Sequence, residues 1–206
     1  MRSMLLAAAA TLLLASSAVA QEQEAVIQTS LGRITIALDA GHAPLTVANF
    51  IRYANEKHFD GTVVYRVVPG FVLQMGSYDA DGRPRPTEAG IPLEANNGLS
   101  NIRGSVAMAR GDDPSSATAE FFISLSDNSA SLDHAASDAA DTTGYAVFGH
   151  VTGGMDVADR IAAVPLGGVG PFAGAAPMTP VVIENVSVVE APPVPPAATE
   201  LPPDTR

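Results

Sequence analysis

The chain contains no cysteine. That excludes disulfides, thiolate metal sites, iron–sulfur clusters, a cysteine nucleophile and a lipid anchor on an N-terminal cysteine. Basic residues are scarce: 11 Lys and Arg stand against 22 Asp and Glu, a formal charge of −11. Binding to nucleic-acid phosphates depends on Lys and Arg displacing counterions, so that class is set aside. Docking on anionic lipid is disfavoured for the same reason. The four histidines, His42, His58, His134 and His150, show no metal-ligand spacing. No G-x-S-x-G elbow occurs. Gly167–Gly174 is glycine-rich but lacks the P-loop lysine and opens no helix, so it reads as turns. Asp112-Asp113 lacks calcium-loop spacing. Neither a metal nor any other cofactor is expected.

The 206 residues suit one domain with appendages. Met1–Ala20 begins with one Arg, continues through the apolar run Leu5–Leu14 and ends in Ala18-Val19-Ala20. That pattern reads as a secretory signal peptide cleaved after Ala20. No later segment reaches the ~18 apolar residues of a membrane span. The mature protein is expected to be soluble and exported, with no membrane association once the signal is removed. The short Ala/Leu-rich signal and the absence of a disulfide framework favour a Gram-negative periplasm. Residues 21–24 form a short lead-in. At the other end, 191–206 carries Pro192, Pro193, Pro195, Pro196, Pro202 and Pro203 and few core-forming side chains. It reads as an extended, flexible tail. The folded unit is then 25–190.

Strand signals dominate that unit. Ala25–Thr29 and Arg33–Leu38 flank Ser30-Leu31-Gly32 as a hairpin. Val63–Val68 and Phe71–Met75 are strands joined at the turn pair Pro69-Gly70. Ser105–Ala109, Phe121–Leu125, Tyr145–Val151 and Val181–Val189 are further strands. Pro44–His58 reads as a helix, with Pro44 in its first turn and Val47, Phe50, Ile51 and Ala54 on one stripe. Met155–Val164 is a second. Many short strands and two helices do not make a βαβ pattern. They indicate an antiparallel barrel or sandwich with helices over its openings.

No acid–base or nucleophilic machinery emerges, but one stretch is unusual. In FDGTVVYRVVPGFVLQMG (59–76) a single Arg66 and a single Gln74 interrupt apolar strands. Lone polar groups in such strands need partners or a function. GSVAMAR (104–110), ATAEFFIS (117–124), LDH (132–134) and GYAVFG (144–149) follow in order. With these five motifs the chain resembles the cyclophilin family of peptidyl-prolyl cis-trans isomerases, most closely its bacterial secreted branch. The resemblance covers about Ala25–Glu190. It implies a mainly β fold, a closed eight-stranded antiparallel β-barrel capped by two α-helices, and a cofactor-free enzyme that rotates X-Pro peptide bonds.

Carried over residue by residue, the resemblance makes Arg66 the catalytic arginine and Gln74 the glutamine beside it. Phe71, Phe122 and Leu132 match the walls of the proline pocket. Val72 stands where Met is frequent. Ala109 matches a small residue facing the substrate backbone, and Tyr145 replaces the His of many eukaryotic members. Arg110 stands where those members have Asn, and Glu120 where Gln is usual. Glu120 can pair with Arg66, compete for its N–H groups, or pair with Arg110 at the rim. Desolvation of a deep carboxylate favours the rim pairing. Ser131 stands where cyclosporin-sensitive members have Trp, so weak cyclosporin binding is expected. The implied partners are proline-containing peptides and unfolded or partly folded exported proteins, met by a monomer. A proline-peptide-binding chaperone or scaffold with little catalysis is the alternative.

Overall fold

The computed structural model describes residues 23–135, 142–168 and 172–190. The expected signal peptide and C-terminal tail lie outside them. Eight strands form one sheet: β1 (Gln23–Thr29), β2 (Gly32–Leu38), β3 (Thr62–Val68), β4 (Val72–Asp79), β5 (Ser105–Met108), β6 (Phe121–Ser124), β7 (Val147–Gly153) and β8 (Ile183–Glu190). Their order is β3-β4-β6-β5-β7-β2-β1-β8, and every pairing is antiparallel. The expected strands all form. β1 begins two residues before Ala25, Phe71 falls in the turn before β4, and Tyr145 lies in irregular backbone before β7.

The sheet curls into a half-barrel, not the closed barrel expected. β3 is joined to the residue just before β8 by one isolated bridge, Val63–Val182. Before β8 an irregular segment runs along β3, where Val67 N–H donates to Ala175 O (2.8 Å) and Val64 N–H to Val181 O (2.9 Å). Pro177 and Pro180 lie in this segment. Proline has no N–H to give, so a continuous ladder cannot form there.

Alternation sorts the strands' side chains by face. Ile27, Ile34, Ile36, Val64, Val67, Leu73, Met75, Val106, Phe121, Ile123 and Phe148 point into the main core. Two helices close it. In α1 (Pro44–Asn55), Val47, Phe50, Tyr53 and Ala54 are buried, and in α3 (Met155–Ala162), Val157, Ala158 and Ile161. Phe50 stacks on Phe59 and meets Phe121 edge-on, both at ring distances near 5 Å (5.2 and 5.3 Å). α1 has no side-chain cap of its own. The Glu94 carboxylate supplies one, accepting from the Leu45 and Thr46 amides and the Thr46 hydroxyl. An anion there also offsets the helix dipole. α1 ends before His58 because Lys57 takes a left-handed conformation (φ 57°).

A third helix, α2 (Ser129–Leu132), lacks any sequence signal of its own because it is one turn long. It is held by its neighbours. Asp133 accepts from the backbone and side-chain N–H groups of Asn101 (2.7 and 2.8 Å) and from the Ser100 hydroxyl.

Candidate active site

A second, smaller apolar cluster sits on the face of the sheet opposite the core. Val72, Ala107, Ala109, Phe122 and Val147 form it, with Phe71, Leu99, Leu132 and Tyr145 packed against them. The strand register explains why. Arg66 faces Gln74 across β3 and β4, Gln74 faces Phe122 across β4 and β6, Phe122 faces Ala107 across β6 and β5, and Ala107 faces Val147. Five strands thus contribute one row: two polar side chains, then three apolar ones. Phe121 and Phe122 are neighbours in sequence and belong to opposite faces.

Arg66 is half-buried. Its Nη1 donates to Gln74 Oε1 at 3.1 Å. Gln74 Nε2 in turn donates to Glu120 Oε2 at 3.1 Å, and the Tyr65 hydroxyl donates to the same oxygen at 2.8 Å. Tyr65 and Arg66 are adjacent, so plain alternation would send them to opposite faces. A bulge prevents that: Val64 pairs with Met75 and Arg66 with Gln74, leaving Tyr65 as an extra residue in β3. Burial first, and then the Glu120 carboxylate, push the Tyr65 hydroxyl far above its ordinary range. It stays a donor. Tyr78 is raised by the same two causes in the same order.

Glu120 therefore does not make the rim pairing expected from its chemistry. Arg110 is engaged elsewhere: Nε donates to Gly144 O (3.0 Å), Nη2 to the Thr143 hydroxyl (2.5 Å), and the guanidinium lies 4.9 Å from the Tyr145 ring centroid. The desolvation argument fails because Gln74 and Tyr65 already supply donors to the half-buried carboxylate.

The cluster is assembled from several elements. The Tyr145 ring meets Phe122 edge-on at 5.6 Å. The Tyr145 amide donates to Leu132 O, which fixes the loop after residue 142 against α2. Asn128 Nδ2 donates to Phe71 O, which fixes Phe71 against the start of α2. The Ala109 amide is spent on Glu120 O (2.9 Å), so that N–H is not free for a peptide. The ten residues singled out in the sequence are thus brought to one side of the sheet, with Arg66, Gln74 and Glu120 at one end of the row and Leu132, Arg110 and Tyr145 at the other. Sequence reasoning missed Tyr65, whose outward turn depends on the bulge. It also missed Phe172, whose ring stacks on Tyr65 (5.7 Å) and lies 5.7 Å from the Arg66 guanidinium. Phe172 sits in the stretch read only as turns.

An antiparallel half-barrel with an arginine–glutamine pair beside an apolar cluster on its outer face is the setting the comparisons with known proteins make specific. The family model for cyclophilin type peptidyl-prolyl cis-trans isomerases matches residues 25–188. The chain belongs to this family and is a peptidyl-prolyl cis-trans isomerase. It is 41% identical over 173 residues to peptidyl-prolyl cis-trans isomerase A of Dickeya dadantii, covering 84% of this chain and 88% of that one. It is 40% identical over 162 residues to peptidyl-prolyl cis-trans isomerase B of Escherichia coli, covering 79% and 97%. In fold it is similar to a cyclophilin type isomerase of Cryptosporidium parvum, with a TM-score of 0.66 at 18% identity over 83% of this chain and 99% of that one. A second crystal structure of that protein was obtained in the presence of the dipeptide Ala-Pro.

Proposed function

We propose that the chain isomerises X-Pro bonds in exported polypeptides and that Arg66 supplies the decisive interaction. Rotation about a peptide bond breaks C–N resonance, at a barrier of ~18–20 kcal/mol. X-Pro bonds are the ones that populate both isomers, and they exchange slowly. At the twisted midpoint the nitrogen becomes pyramidal and regains a lone pair. A donor held against that nitrogen binds the midpoint better than either planar end state. Each ~1.4 kcal/mol of that difference gives about tenfold in rate.

Arg66 suits this role because it is always cationic and carries a rigid fork of donors. The observation that carries the reading is its bond to Gln74 on the outer face: one guanidinium nitrogen is anchored at 3.1 Å beside the Phe122 cluster. Phe71, Val72, Phe122, Leu132 and Tyr145 grip the proline ring, so the nitrogen side of the bond is fixed while the carbonyl side turns. Ala109, Arg110 and Glu120 line the path of the flanking peptide. No covalent bond forms and no proton moves.

Met1–Ala20 supports export, and the chain acts in the periplasm as a monomer on unfolded or partly folded clients. Exchange spectroscopy on an Ala-Pro peptide with wild type and Arg66→Ala tests the mechanism; equal exchange with both removes Arg66 from it. N-terminal sequencing of protein from a periplasmic extract tests the export. A first residue other than Gln21 contradicts cleavage after Ala20.

A further inference from the structure

The isomerase reading leaves one charge unexplained. Glu120 lies two residues before Phe122 and reaches the Gln74 end of the groove. Both of its bonds fall on Oε2, and Oε1 accepts none among the described residues. Among the described residues no cation forms an ion pair with it. The nearest catalytic cation is held off: Gln74 stands between Arg66 and Glu120, and the Arg66 guanidinium leans toward the Phe172 ring. A half-buried carboxylate with an open oxygen is a strong acceptor for an ammonium or guanidinium group.

Its surroundings also suit a cation. Tyr65 meets Tyr78 edge-on at 4.7 Å and stacks on Phe172 at 5.7 Å. Aromatic rings beside a carboxylate attract cations and accept the methylene stem of a long side chain. Beside them lies a cavity of about 320 Å³ walled by Val63, Tyr65, Tyr78, Asp79, Met178 and Pro180. Tyr65 joins the two places, since its hydroxyl bonds Glu120 and its ring lines the cavity. Asp79 adds a second carboxylate to the cavity wall, its Oδ1 held by the amides of Asp81 and Arg83.

We infer that Glu120 makes this isomerase selective for polypeptides with a lysine or arginine close to the proline, the cationic side chain lying along Tyr65 and Tyr78. The selectivity rests on the same groove acting as the isomerase site. It arises because a cation on the substrate gains an anionic partner that a neutral or acidic residue cannot use.

The test is a lysine scan through an Ala-Pro host peptide, with norleucine and glutamate as controls at each position, read by exchange spectroscopy. At one or more positions Lys raises kcat/KM about tenfold over norleucine, the scale of one charge-assisted bond, while Glu lowers it. The Lys-to-norleucine ratio falls toward one in Glu120→Gln, inverts in favour of Glu peptides in Glu120→Lys, and shrinks with added salt. A wild-type ratio of one at every position overturns the inference, as does a ratio that survives Glu120→Gln. Failure of the isomerase reading is separate: the all-Ala host peptide then shows no catalysed exchange with the wild type.

Discussion

Arg66 and Gln74 face each other across β3 and β4, and the amide of Gln74 has both of its ends in use, its oxygen toward Arg66 and its nitrogen toward Glu120. The guanidinium is thereby held from one side, and its remaining N–H groups donate to no side chain or backbone group among the described residues. Arg66→Ala is expected to lower kcat/KM by about 10²–10³, the usual cost of deleting a donor that acts on developing charge. The melting temperature shifts by about 2 °C or less, because Arg66 is outside the core. Arg66→Lys is expected to recover little, since a point charge on a flexible stem cannot hold Gln74 and present a second donor together. Exchange spectroscopy and thermal melts on the three proteins check this.

Phe121 and Phe122 differ in what they support. Phe121 is fully buried against Phe50 and Phe59, whereas Phe122 belongs to the small cluster on the other face. Phe121→Ala should cost about 3–5 kcal/mol in stability. Phe122→Ala should cost about 2 kcal/mol and weaken Ala-Pro peptide binding about tenfold. Urea unfolding and peptide titration separate the two; a larger stability loss for Phe122→Ala would contradict the assignment of faces.

Gly76 has φ 109°, and a Cβ there would lie 2.5 Å from the carbonyl oxygen of Ala119, the residue before Glu120. Gly76→Ala combines a strained backbone with a contact that only a backbone shift relieves. The expected loss is about 2 kcal/mol. The shift moves β4 against Glu120, so kcat/KM falls as well. Unchanged melting and activity would contradict this.

His58 donates its Nε2 hydrogen to Gly76 O at 3.1 Å. Burial lowers its pKa below the ordinary 6.5, outweighing the bond to Gly76, which raises it, and the Arg85 charge adds to the lowering. The folded state therefore favours the neutral ring, and the unfolded chain binds the proton more readily. The stabilisation is complete above pH 6.5 and declines as pH falls through the folded-state value. Melting temperature should fall between pH 7.5 and about pH 5.5, and His58→Asn should flatten part of that slope. A wild-type melting temperature that rises on acidification would contradict the sign.

Much of the architecture could be read in the sequence because it is written in alternation. Arg66 and Gln74, each alone in an apolar strand, mark the face of β3 and β4 turned away from Val67, Leu73 and Met75. The Pro44 start of α1 is equally local. What could not be read depends on contacts distant in the chain. The cap of α1 comes from Glu94, the one-turn α2 is held by Asn101 through Asp133, and the seam between β3 and β8 is open because Pro177 and Pro180 interrupt it. The partners of Glu120 belong with these: Gln74 reaches it from β4, and Tyr65 reaches it only because an extra residue in β3 reverses that side chain, which nothing in the local pattern announces.

β1 lies between β2 and β8, with Gln23 opposite Glu190. Among the described strands, the first in the chain is therefore flanked on one side by the last. A nascent chain can zip the β1–β2 hairpin early, but one edge of Gln23–Thr29 keeps its hydrogen-bonding groups bare until some 160 residues later have emerged. The maturation of this isomerase waits for β8, and a message truncated before Ile183 would yield a product with a ready-made site for pairing with its neighbours.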